Sequence, residues 1–160
     1  MDEIRVLLVD ENDDFLDGLS AWLSLTGRFA VAGVAHSGQQ AVERAASFDP
    51  DVVLMDMRLP DISGLEATRR IKSRPNAPCV VLMAFHVSEA ILAEARAAGA
   101  DRCLSKYGTT RDFPLVAEDL CTSHRRRETG PDGAETSLSA CAPGSSPLPE
   151  EAHEKEGGRT

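Results

Sequence analysis

Short apolar runs alternate with segments of helical spacing up to about residue 125, and two of those runs consist wholly of Val, Leu, Met and Cys. Positions 52–55 read Val-Val-Leu-Met and positions 79–83 read Cys-Val-Val-Leu-Met. A strand with one face in water alternates apolar and polar side chains, because successive residues point to opposite faces. An unbroken apolar run of this length suits a strand covered on both faces, as in a parallel sheet packed between helices.

The rest of the pattern agrees. Ile4–Val9 is apolar apart from Arg5, Phe29–Ala35 reads as a second strand, and Arg102–Ser105 as a short fifth. Between them, Phe15, Leu16, Leu19, Trp22 and Leu23 recur at helical spacing, with Asn12, Asp13 and Asp14 available as caps and Gly27 as a stop. Ser37 opens a helix that reaches Phe48, and Asp49-Pro50-Asp51 is a turn. Residues 65–72 read as a short helix stopped near Pro75. A fourth helix from Ser88 is closed by Gly99, and a last one spans 112–123. Five strand–helix units of this length predict an α/β fold, a doubly wound five-stranded parallel sheet with helices on both faces.

Three of the runs end in ionisable groups. The first is followed by Asp10, Glu11 and Asn12, the third by Asp56, and the fifth by Lys106. Open α/β sheets bind ligands at the carboxyl edge of their strands, and parallel pairing brings these groups to that edge. Asp10, Glu11 and Asp56 form an oxygen-rich set suited to a hard divalent cation such as Mg2+. Three carboxylates cannot crowd together and all stay ionised without a cation. Lys106 adds a point charge for an anion, and the combination describes phosphoryl chemistry. Asp13 and Asp14 are read as helix caps only.

Charge and composition narrow the partners. The net charge of −9 is the opposite of the basic footprint that nucleic-acid binding needs. No run approaches the roughly 18 apolar residues of a membrane span, and Met-Asp-Glu-Ile-Arg leads straight into a strand without a secretory leader pattern. A soluble, cytoplasmic protein is expected, with no direct nucleic-acid or membrane partner. Cys79, Cys103, Cys121 and Cys141 are irregularly spaced, which indicates neither a zinc site nor a disulfide framework. Cys79 and Cys103 read as small buried hydrophobes. Residues 128–160 carry seven acids against two bases and no Val, Ile, Met or aromatic residue, only Leu138 and Leu148. Such a segment cannot bury enough apolar area to offset an ordering entropy of about 1–2 kcal/mol per residue. The expected organisation is one domain over 1–125 and a disordered polar, acidic tail over 126–160.

An acidic pair after the first strand, an Asp after the third and a Lys after the fifth resemble the receiver domain of two-component response regulators, which has a flavodoxin-like fold. Gly64, eight residues past Asp56, and Gly99, seven before Lys106, strengthen the resemblance, which covers residues 1 to about 125. It implies that Asp56 is the phosphoacceptor, attacking a phosphohistidine of a histidine kinase or phosphotransfer protein, or a small acyl phosphate. It implies further that Glu11, Asp56 and the backbone carbonyl of Arg58 ligate Mg2+, that Asp10 acts through metal-bound water, and that Lys106 pairs with phosphoryl oxygens. The chain would then be a signalling phosphoacceptor rather than an enzyme.

Several positions depart from the family pattern. Ala84 stands where the family has a Ser or Thr whose hydroxyl contacts the phosphoryl group, and Phe85 follows it where a small residue is usual. Cys103 occupies the place of a common aromatic switch residue, and Tyr107 follows Lys106 in place of Pro. Arg58 and His86 occupy positions that in the family tune attack by hydrolytic water. His36, His124 and His153 show no partner pattern and are expected to face solvent, while Arg125, Arg126 and Arg127 complement a helix dipole or stay solvated.

Two functional readings follow. The first is a single-domain response regulator, phosphorylated on Asp56 with Mg2+ and acting through protein–protein contact. The alternative is a degenerate receiver that serves as a phosphorylation-independent docking module. A phosphohydrolase with an Asp nucleophile is disfavoured, since that class usually shows Asp-x-Asp and the residue two after Asp56 is Arg58.

Overall fold

The computed structural model describes residues 2–128, with side chains to residue 125. In chain order the elements are β1 (Ile4–Val9), α1 (Asp13–Leu25), β2 (Phe29–Ala35), α2 (Gly38–Phe48), β3 (Val52–Asp56), α3 (Gly64–Lys72), β4 (Cys79–Ala84), α4 (Glu89–Ala98), β5 (Arg102–Ser105), a 3-10 turn (Lys106–Gly108) and α5 (Thr109–Glu128). The strands are all parallel, in the order β2-β1-β3-β4-β5. The chain steps outward once from β1 to β2, then returns past β1 and proceeds through β3 and β4 to β5. That reversal opens a crevice between the carboxyl ends of β1 and β3.

Alternation along the strands divides the core into two layers. Val6 and Leu8 of β1 pack in one layer with Leu16, Leu19 and Leu23 of α1 and Phe113, Ala117 and Leu120 of α5. Leu7 and Val9 pack in the other with Ala41 and Ala45 of α2, Ala67 and Ile71 of α3 and Ala95 of α4. Both faces of the central strands are thus covered, as their unbroken apolar sequences require.

Local signals set the helix ends. Asn12, Ser37, Ser63 and Ser88 each accept a hydrogen bond from the backbone N–H three residues on, opening α1 to α4. Each such cap contributes about 1 kcal/mol. Gly99 ends α4 with φ +94°, a left-handed conformation that glycine adopts without a Cβ penalty.

Some elements differ from the sequence expectation. β3 and β4 each extend one residue further, to take in Asp56 and Ala84, and α3 starts at Gly64. The last helix, expected over 112–123, begins at Thr109 and runs to Glu128 with Pro114 inside it. A proline inside a helix costs about 3 kcal/mol. Here burial of Phe113, Ala117 and Leu120 along one side of α5 offsets that cost. Cys79 is buried as expected, but Cys103 is only half-buried, because β5 is an edge strand whose four residues are all partly exposed. His124 does not simply face solvent; it is half-buried, with Nδ1 3.7 Å from Cys79 Sγ. Among the described residues no helix is long and apolar enough to cross a membrane. The expected tail beyond Glu128, with Cys141 and His153, lies outside the described residues.

Candidate functional site

The sheet register brings the site residues together. Val9 pairs with Met55, Asp56 with Met83 and Ala84 with Ser105. Asp10 and Lys106 therefore lie one residue beyond their strands at the edge where Asp56 ends β3. Asp10 and Asp56 are buried, 0% and 4% exposed. Lys106 Nζ donates a hydrogen bond to Asp56 Oδ2 at 2.9 Å and lies 2.5 Å from Asp10 Oδ2. The opposite oxygens are held by backbone: the Asn12 N–H donates to Asp10 Oδ1 at 2.9 Å, and the Arg58 N–H to Asp56 Oδ1 at 3.0 Å. Asp10 Oδ2 is fully buried and takes no main-chain donor; its partner is the Lys106 ammonium.

Lys106 is itself enclosed. Its Nζ lies 4.5 Å from the centre of the Phe15 ring and 5.0 Å from that of Phe85, within cation–π range of both. Burial pulls its pKa down, but the hydrogen bonds and charges of Asp10 and Asp56 outweigh burial and hold it above the ordinary lysine value. The group is an ammonium throughout the neutral range.

Other expected site residues are placed less centrally. Glu11 is exposed, and among the described residues it makes no hydrogen bond or ion pair. Among the described residues no three His, Cys, Asp or Glu side chains are gathered to hold a metal ion. Arg58 contributes its backbone N–H while its side chain is exposed, and His86 is exposed. Ala84 is buried at 7% and offers no hydroxyl. Cys103 is half-buried, and burial raises its thiol pKa.

Three arrangements escaped the sequence reading. His36, expected to face solvent, places Nε2 2.6 Å from Asp13 Oδ1, so Asp13 is more than a cap; Asn12 is the capping residue. Phe15, counted with the apolar face of α1, also covers Lys106. Asp61 accepts from the Gly38 and Gln39 N–H groups at 2.8 and 2.9 Å, tying the loop after β3 to the start of α2. These backbone donors, Gln39 first, hold its carboxyl below the usual range against some burial. No spacing pattern announces these pairings, since each depends on how two loops meet.

Gly64 explains why a glycine follows Asp56 at that distance. A Cβ there would stand 2.4 Å from the Asp56 carbonyl oxygen and 2.8 Å from Met57 Cα. The Gly64 N–H donates to the Met57 carbonyl at 2.9 Å. The start of α3 thus rests directly on the main chain that carries Asp56.

A five-stranded parallel sheet with an acidic pocket and a lysine at the carboxyl edge defines a class, and comparison with known proteins identifies it. The family model of the response regulator receiver domain matches residues 6–116, and the chain belongs to that family. It is 35% identical over 103 residues to the transcriptional regulatory protein LnrK of Bacillus subtilis (strain 168), covering 64% of this chain and 47% of that one. The signal receiver domain of NarL from Mycobacterium tuberculosis superposes with a TM-score of 0.72 at 30% identity, covering 76% of this chain and 98% of the other. The response regulator domain of Thermotoga maritima CheB does so with a TM-score of 0.62 at 29% identity, covering 81% and 100%. This chain spans less than half the length of LnrK, and 37% of that of the response regulator GacA from Pseudomonas viridiflava. Receiver domains are signalling phosphoacceptors of two-component systems, interact with histidine kinases or phosphotransfer proteins, and typically bind Mg2+ at the phosphorylation site.

Proposed function

We propose that this chain acts as a receiver whose Asp56 accepts a phosphoryl group from a histidine kinase or phosphotransfer protein, and that the receiver passes the signal on through protein–protein contact. The observation that carries the reading is the Asp10–Lys106–Asp56 cluster at the crevice between β1 and β3. A carboxylate oxygen of Asp56 attacks phosphorus as the P–N bond of the donor phosphohistidine breaks, its electron pair leaving on the imidazole nitrogen. Lys106 then pairs with the phosphoryl oxygens, being already within 2.9 Å of the accepting carboxylate. The Arg58 N–H holds the other Asp56 oxygen in place.

The donor set fits a divalent cation. Two buried carboxylates, Asp10 and Asp56, share the single ammonium of Lys106, which leaves an excess of negative charge and oxygen donors of the kind a hard cation takes. Mg2+ would be held by Asp56, the Arg58 carbonyl and Glu11, with Asp10 acting through bound water. When bound it supplies positive charge against the incoming phosphate.

Incubation with acetyl phosphate and Mg2+ should add one phosphate to the wild-type chain and none to Asp56→Asn. Labelling that survives Asp56→Asn would remove Asp56 from the role. A specific observation favours a second reading, a docking module independent of phosphorylation. Ala84 gives no donor to the pocket, and the Phe85 ring stands over its lysine. An absence of any effect of acetyl phosphate or beryllofluoride with Mg2+ on the wild-type domain would select that reading.

A further inference from the structure

Phosphoryl acceptance by Asp56 accounts for Asp10, Asp56 and Lys106 but not for the two rings beside them. Ala84 of β4 and Ser105 of β5 lie opposite each other in the sheet, so Phe85 and Lys106 leave neighbouring strand ends, with Tyr107 one residue further on. Phe85 is 42% exposed and Tyr107 79%, yet their rings touch, with centroids 5.8 Å apart at a 58° tilt. The Phe85 ring also has Lys106 Nζ 5.0 Å from its centre. One side chain thus touches both the ammonium that bridges two buried carboxylates and a ring displayed on the surface.

An ammonium is drawn to the face of an aromatic ring, and the attraction depends on their relative position. In the resting site two carboxylates fix that position. A phosphoryl group on Asp56 puts new anionic oxygens where the Asp56 oxygen now meets Lys106, and the ammonium follows the charge. The end of β4 can respond through a ring face but not through a hydroxyl, because residue 84 is alanine.

We infer that Phe85 is a positioning residue for Lys106, and that the Lys106–Phe85–Tyr107 contact carries the charge state of the acidic pocket to the surface. This rests on Asp56 being the phosphoacceptor. Phosphorylation shifts Lys106, the Phe85 ring moves with it, and the environment of Tyr107 changes as a result.

Tyr107 is the single tyrosine of the chain, so 3-fluorotyrosine labelling of the full chain places one 19F probe at this position. Beryllofluoride with Mg2+ serves as the phosphoryl mimic, and its binding is measured separately by calorimetry. In wild type the 19F resonance should move on binding. Phe85→Leu should still bind, within about fivefold of wild type as expected for the loss of one exposed cation–π contact, but the resonance should no longer move. Phe85→Trp keeps a ring and should restore the movement. If Phe85→Leu proves unfolded in a thermal melt, Phe85→Met replaces it in the same comparison. Full movement in a ringless variant that binds would overturn the inference, as would a wild-type resonance that stays still on binding. Absence of binding by wild type is a different result: it removes the phosphoacceptor reading, and this inference with it.

Discussion

Replacing Gly64 with alanine should damage fold and site together. The added Cβ would stand 2.4 Å from the Asp56 carbonyl oxygen, 2.8 Å from Met57 Cα and 3.1 Å from the Asp56 carbonyl carbon. The optimum separation between carbons is about 3.5–4.0 Å, and all three atoms are main chain, so no flexible side chain can swing aside. The overlap is relieved only by moving the backbone that carries Asp56. Overpacking of this kind costs about 1–3 kcal/mol. Alanine recovers up to about 1 kcal/mol of helix propensity, less at a first helical position. The net loss is about 1–2 kcal/mol, or about 3–10 °C in Tm for a domain of this size. Gly18, inside α1, is the control: a Cβ there meets nothing within 4 Å. Gly18→Ala should raise stability by about 0.5–1 kcal/mol. Circular-dichroism melts of the three proteins decide between them, with Mg2+ calorimetry added to show that Gly64→Ala also weakens the site. A Gly64→Ala protein that melts at or above wild type would refute the argument, as would equal losses in both variants.

Lys106→Met leaves Asp10 and Asp56 buried together without their ammonium and should cost about 3–5 kcal/mol in urea unfolding at neutral pH. Because folding raises the Lys106 pKa, the stability it brings is fully present below about pH 10.4 and is lost as pH rises through the higher folded value. The two proteins should therefore approach each other in stability only in strong alkali, and a gap that closes by pH 8 would contradict this. Ala84→Thr would place a hydroxyl at the end of β4, beside the proposed acceptor Asp56. At about 1.5–3 kcal/mol for a hydrogen bond to a charged group, it should speed acetyl phosphate labelling by about ten- to hundredfold; an unchanged rate would mean that no donor is wanting there. Burial, with Asp51 adding to it and Arg125 opposing, pushes the Cys121 thiol up to about 11. Alkylation at pH 8 should therefore be much slower in the folded protein than in urea, and equal rates would show the thiol to be freely ionising.

Much of the architecture was legible because the central strands leave little choice. Positions 52–55 and 79–83 carry only Val, Leu, Met and Cys, which suits burial on both faces, and from there the parallel sheet and its ligand-binding edge follow. Asp10, Asp56 and Lys106 were legible for the same reason, as polar groups ending apolar runs. Glu11 is exposed, since adjacency to Asp10 in sequence does not carry burial with it. The reach of α5 was underestimated at both ends, since it starts at Thr109 and runs to Glu128, while Pro114 and the buried Phe113, Ala117 and Leu120 all lie within the expected span. The His36–Asp13 pair and the placing of Phe15 over Lys106 depend on tertiary approach and leave no periodic trace.

The bridging position of Lys106 has a consequence for metal occupancy. The pocket holds a tethered cation of its own, so its two buried acids are already neutralised in part when no ion is bound. A divalent cation that enters does so by exchange, and its affinity is the difference between two compensated arrangements rather than the full attraction of a bare anionic hole. Sites whose ligands form only on folding can depend on metal for stability; this one carries a substitute built into β5's exit. Occupancy is then free to follow the ion concentration, with the folded state available at either extreme.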